Sequence, residues 1–209
     1  MSAPSMTLYS NPASPFARKV RVLLAETGQL ARVELKLTQP TPVNPDPALV
    51  GENPLGKLPA LVLADGEVLY DSRVICEYLD SQHGGLPLVP TAGATRWRRL
   101  TLASLADGVL DAALLIRYET ALRPEPRHWD EWLGNQALKI ERGLGYLEQA
   151  AIDELAGHFD IASIGVACAL GYLDFRQPQL GWRERYPRLA EWYAEASQRP
   201  SLQDTRPVV

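Results

Sequence analysis

The chain has 209 residues, 46% of them hydrophobic and 22% charged, and a formal net charge of −4. That length can bury a sizeable core in one large or two small domains, and the charge leaves no basic footprint for nucleic acid or an anionic membrane. No run reaches the roughly eighteen apolar residues that a membrane span needs.

Thr7–Tyr9 reads as a first strand. Pro15 to Thr27 reads as a helix, with Phe16, Val20, Leu23, Leu24 and Thr27 on one side and Gly28 as its stop. Val33–Leu37 alternates like a second strand. The proline-rich connection that follows has room for one short helix near Asp46 to Glu52. Pro59–Leu63, the turn dipeptide Asp65-Gly66 and Val68–Tyr70 form a hairpin signature. A helix opens at Asp71-Ser72 and runs to about Gln82. The first half is therefore a small α/β domain.

His83 to Pro90 has linker composition, and no convincing strand follows it. Helices are expected over Ala94–Ala121, Arg127–Ala150, Asp160–Phe175 and Pro187–Gln198, so the second half is an all-helical bundle. The expected division is 1–82, a linker over 83–93, and 94–209. The basic cluster Arg96–Arg99 reads as solvated helix face. Cys76 and Cys168 lie far apart in apolar helical patterns and read as buried hydrophobes, not as a disulfide or metal pair. The segment MSAPSMTLYS has neither the charged nor the apolar region of a signal peptide. A soluble, reduced, cytoplasmic protein with no metal centre is expected.

Three places offer chemistry. Ser14 stands between two strong local signals, a strand and a helix that begins with Pro15. It reads either as a plain N-cap or as a hydroxyl donor at a helix terminus that favours anions. Redox Cys-x-x-Cys motifs occupy the same context, but Ser14 and Ala17 fill both positions, so no internal disulfide can form there. Leu58-Pro59 precedes the third strand, where proline cannot donate a ladder bond. It reads as a trans start to an edge strand, or as a cis bond that turns the Leu58 N–H and C=O outward. Asp71-Ser72 reads as simple capping, or as a grip for an α-amino acid end. In the second case, helix N–H groups and Ser72 take the carboxylate and Asp71 takes the ammonium.

Together these features resemble the glutathione S-transferase superfamily, and the likeness covers nearly the whole chain. The matching stretches are Tyr9 to Val20 with Ser14-Pro15-Phe16 and Arg18, Asn53 to Leu61, and Leu69 to Ile75. Phe159 to Ile164 resembles the family's capping box and hydrophobic staple, with Asp160 at the N-cap and Ser163 three residues on. The family more often has the hydroxyl first, so this is a swapped version.

The resemblance implies a thioredoxin-like N-terminal domain followed by an all-helical domain that supplies the acceptor-substrate site. It implies that Ser14, with Asn11 and Ser10 as rivals, hydrogen-bonds the glutathione thiolate. Leu58, before a cis Pro59, would pair with the cysteinyl unit. Asp71, where the family commonly has Glu or Gln, would hold the γ-glutamyl end with Ser72, and Lys57 would reach the glycyl carboxylate. Arg18 is expected to be a helix-face or interface ion-pair residue. Phe16, Asp107, Asp111, Arg117 and Tyr118 are expected at or beside the acceptor site. The implied activity is attack of the glutathione thiolate on an electrophilic small molecule, or glutathione-dependent peroxide reduction, in a homodimer. Glutaredoxin- or omega-type disulfide chemistry is not expected, since no protein sulfur stands at Ser14. The alternative is a non-catalytic glutathione-binding or protein-interaction module on the same fold.

Overall fold

β1 (Met6–Ser10) buries alternate apolar side chains and sits inside a four-stranded sheet in the computed structural model, which describes residues 5–208. Residues 1–4, part of the expected 1–82 domain and of the segment read as lacking a signal peptide, lie outside the described residues, as does Val209. α1 (Pro15–Glu26) provides the crossover that a parallel strand pair requires, and β2 (Val33–Leu37) returns beside β1. After α2 (Pro47–Glu52), β3 (Ala60–Val62) pairs antiparallel with the other side of β1. β4 (Val68–Leu69) completes the order β2-β1-β3-β4, and α3 (Ser72–Asp80) follows. This is the thioredoxin-like arrangement expected. Gly28 takes a φ of 67° just beyond α1, the left-handed conformation that lets the chain leave a helix.

The second half is helical throughout: α4 (Gly93–Leu122), α5 (Asp130–Tyr146), α6 (Ile152–Leu155), α7 (Ile161–Arg176), α8 (Trp182–Arg185), α9 (Pro187–Ala196) and α10 (Pro200–Gln203). α5 starts later than expected because the proline-bearing stretch Glu125–Arg127 forms a separate 3₁₀ turn. It then continues through a π turn, Leu147–Ala151, into α6, beyond the expected end at Ala150. α8 and α10 are too short to leave a periodic signal. No described helix is long and apolar enough to cross a membrane.

α7 is the axis of the molecule, and every residue from Ile161 to Leu173 is buried. Asp160 caps it, accepting from the N–H groups of Ala162 at 3.0 Å and Ser163 at 3.3 Å. The expected capping box is one-sided. The Ser163 hydroxyl accepts from Arg99, and Arg99 also grips Asp160 with two bonds of 2.5 Å. A buried cluster including Leu8, Leu23, Ile75, Leu102 and Leu170 runs through both halves of the chain. The 83–93 connection is docked rather than loose: Asp80 accepts from the N–H groups of Leu88 at 2.8 Å and Val89 at 2.9 Å.

Candidate active site

Strand register brings the three N-terminal motifs to one edge of the sheet. Tyr9 lies opposite Ala60, and Leu61 opposite Leu69. Carried on in the same registers, Pro59 falls beside Ser10 one step further and Asp71 beside Pro59 two steps further. Two strand spacings cover about 10 Å, the reach of an extended tripeptide. α1 and α3 both begin at this edge, so two helix N-termini offer N–H groups and positive dipole ends to a bound anion.

Ser14 is half-buried and caps α1, its Oγ accepting from the Ala17 N–H at 3.2 Å. That bond uses a lone pair and leaves the hydroxyl proton free to be donated. The Phe16 N–H beside it has no partner among the described residues. Asn11 is committed at both ends, its Nδ2 donating to Thr38 O and its Oδ1 accepting from Ala13 N, each at 2.8 Å. Ser10 is 1% exposed, and its hydroxyl is buried without a hydrogen-bond partner among the described residues. The three candidates thus share one turn: the Ser14 hydroxyl proton is uncommitted, the Ser10 hydroxyl is buried, and Asn11 keeps one Nδ2 hydrogen beyond its bond to Thr38.

The Leu58–Pro59 peptide is cis. The turn before it is organised by Asn53, whose Nδ2 donates to Lys57 O at 2.9 Å and whose Oδ1 accepts from Leu55 N at 3.0 Å. The Leu58 N–H and C=O have no protein partner among the described residues. Lys57 is exposed beyond them. Asn53, quoted in the motif without a role, is what shapes this turn; its position six residues before Pro59 was the available signal.

Asp71 caps α3 and accepts from the Arg73 N–H at 2.9 Å and the Arg73 guanidinium at 3.0 Å. Burial pushes its carboxyl up, but the Arg73 side chain and N–H, with Lys19 nearby, together hold it below the ordinary range. Ser72 is buried at the first position of α3, and its hydroxyl and N–H make no bond within the described residues.

The helical domain closes the cleft differently from expectation. Asp107 and Asp111, both expected at or beside the acceptor site, stand one turn apart on α4 in different environments. Asp107 is buried, with Lys19 Nζ 2.6 Å away and Arg73 Nε at 3.9 Å. It is an inter-helix ion-pair partner, and its carboxylate is already engaged. Asp111 is largely exposed; partial desolvation and then the charge of Asp107 raise its carboxyl against the opposing pull of Lys57 and Arg73. Arg18 is buried and pairs with neutral oxygens, donating to Leu202 O at 3.0 Å and Thr205 Oγ1 at 3.4 Å, so it is not the ion-pair residue expected. Phe16 is half-buried against the shared core, while Arg117 and Tyr118 lie on the last third of α4.

The glutathione S-transferase N-terminal domain family model matches residues 13–82, and the corresponding C-terminal domain model matches residues 130–195. The Escherichia coli (strain K12) Uncharacterized GST-like protein YibF is 34% identical over 97% of this chain and 98% of its own. A glutathione transferase family member from Pseudomonas fluorescens Pf-5, crystallised with bound glutathione, is 63% identical over 98% of this chain and 100% of its own, with a TM-score of 0.97. The structure of that family member with S-(propanoic acid)-glutathione superposes with a TM-score of 0.92, at 61% identity over 98% of this chain and 100% of that one. With its two halves matched in register and these relatives aligned almost end to end, the chain belongs to the glutathione S-transferase family.

Proposed function

We propose that the chain is a serine-type glutathione transferase in which Ser14 stabilises the glutathione thiolate for attack on an electrophilic small molecule. The observation that carries the reading is the uncommitted Ser14 hydroxyl proton at the mouth of α1, on the same sheet edge as the unpaired Leu58 backbone and the Asp71-Ser72 pair. In this reading Leu58 pairs with the cysteinyl unit, Lys57 meets the glycyl carboxylate, and Asp71 accepts the γ-glutamyl ammonium while the α3 terminus and Ser72 take its carboxylate. Sulfur forms a bond to the electrophilic carbon, the leaving group departs with its electron pair, and the thiol proton passes to solvent. The glutathione and the glutathione thioether bound by the Pseudomonas fluorescens relative support both halves of this site. The same thiolate can serve peroxide reduction. A cytoplasmic homodimer completes the proposal.

The test is retention on immobilised glutathione, followed by turnover of a panel of electrophiles and hydroperoxides. Retention with turnover is the expected result. Retention without turnover on any substrate favours the non-catalytic module, and no retention overturns both. In the same assay Asp71→Asn should raise the KM for glutathione about tenfold, since a charge-assisted bond to ammonium is lost. The ionised Asp71 carboxyl is the binding form. Affinity should therefore hold from neutral pH down to its depressed pKa and fall only below it.

A further inference from the structure

Beyond the sheet edge, the acceptor half of the cleft carries two arginines that the chain leaves uncompensated. α4 and α7 run parallel: Arg99 grips Asp160, a Cβ on Gly165 would lie 3.3 Å from that of Ala106, and Gln177 Nε2 donates to Ala113 O at 2.9 Å. α7 ends at Arg176, while α4 continues from Ala113 to Leu122, about 13 Å further. Arg117 lies one turn past Ala113 on the same face as the Gln177 bond, and so stands over the end of α7 beside Arg176.

Ser14 lies at the same height along α7. α1 runs antiparallel to α7. Glu26 at its end pairs with Arg199, which lies over the Phe159 ring, while Arg18 near its start fills the space that a side chain at Gly171 would need. One turn back from Arg18 is Ser14, and one turn on from Gly171 is Phe175, so the thiolate position and Arg176 meet at the same level.

Nine arginines form ion pairs with carboxylates. Among the described residues the other eight form none, Arg117 and Arg176 with them. Arg176 is half-buried and stacked 3.9 Å from the Phe175 ring centre; burial and then the charge of Arg117 lower its pKa, and no carboxylate is among the groups that act on it. Two phenols flank the pair. Tyr172 is buried with its hydroxyl pushed up to about 12, chiefly by burial, and Tyr118 is raised by burial as well, so both remain protonated donors. Neither hydroxyl has a protein partner among the described residues. Two neighbouring guanidinium groups and two phenolic donors, with no carboxylate paired to them, have the chemistry to hold a small planar anion.

We propose that Arg117 and Arg176, with Tyr118 and Tyr172, anchor a carboxylate on the acceptor substrate, so that the enzyme selects electrophiles bearing one. This rests on the glutathione transferase reading, which places the thiolate at Ser14.

Calorimetric titration of the full chain with S-(2-carboxyethyl)glutathione and with S-propylglutathione tests it, because the two thioethers differ only in the terminal group. The wild type should bind the carboxylate about tenfold more tightly. The Arg117→Gln/Arg176→Gln double variant should lose that preference while its affinity for S-propylglutathione stays within about twofold. Equal affinities in the wild type, a preference that survives in the double variant, or an equal loss of both thioethers there would each overturn the proposal while leaving the glutathione reading intact. If neither thioether binds the wild type, the glutathione reading itself fails and takes this inference with it.

Discussion

Ser14→Ala should cut turnover at neutral pH by about ten- to a hundredfold while glutathione affinity changes far less. A free thiol titrates near 8.5, and a donated hydroxyl with helix-terminal N–H groups can lower that by about one or two units. Each unit is worth about 1.4 kcal/mol of preference for the anion. Removing the donor raises the bound thiol's pKa. The loss is therefore largest below the new pKa and shrinks as pH rises through it. Ultraviolet titration of the thiolate in the binary complex, set beside the pH profile of kcat/KM, checks both signs. The same substitution removes the α1 cap, at a cost of about 1 kcal/mol in stability. Ser14→Thr is the control, since it keeps both the cap and the hydroxyl and should restore most of the activity. A Ser14→Ala enzyme with an unshifted profile would transfer the role to Asn11 or Ser10. Asn11 would then donate its second Nδ2 hydrogen while keeping its bonds to Thr38 and Ala13.

The largest stability effect is expected at Asp107. Its carboxylate and Lys19 Nζ are 2.6 Å apart, and both side chains are at most 8% exposed where α1 crosses α4. Asp107→Ala leaves a buried ammonium without its partner, which typically costs about 3–5 kcal/mol, a large part of a domain's total stability. Replacing both partners, Lys19→Met with Asp107→Leu, removes the desolvation cost together with the attraction and should return stability to near the wild type or above. Denaturant unfolding of the single and double variants decides the matter. A single variant as stable as the wild type would mean that solvent reaches the pair. The neighbouring Asp111 offers a second readout. Because the Asp107 charge helps hold its carboxyl up, that carboxyl should titrate lower in Asp107→Asn, although burial, the larger cause, remains.

Much of the cleft was legible because it is built from local signals. Capping residues, Pro15, the Asp65-Gly66 turn and Leu58-Pro59 act on the chain within a few residues of themselves, and each left its mark in order. The edges of α5 were misplaced for a related reason. Residue periodicity does not register where the proline-bearing 125–127 turn separates from the helix, or where a π turn carries it past Ala150. The swapped capping box was legible as a cap at Asp160. Its second half was not, because the Ser163 hydroxyl turns to Arg99, a residue 64 positions away.

The sequence by itself determined the strand and helix order, the split into an α/β half and a helical half, and the cluster of hydroxyl, proline and acid motifs before Ile75. These depend on backbone preferences and on hydrophobic periodicity, which are written residue by residue. Only the tertiary structure decided which charges find partners. Lys19 and Asp107 are 88 residues apart, and whether Asp107 faces a ligand or an ammonium depends on how α1 lies across α4. The charge of Arg117 acts on Arg176 because α4 continues where α7 stops. A side chain's charge is local, but its compensation is set by packing, and that is why the caps and turns at the sheet edge could be read along the chain while the ion-pair partners required the fold.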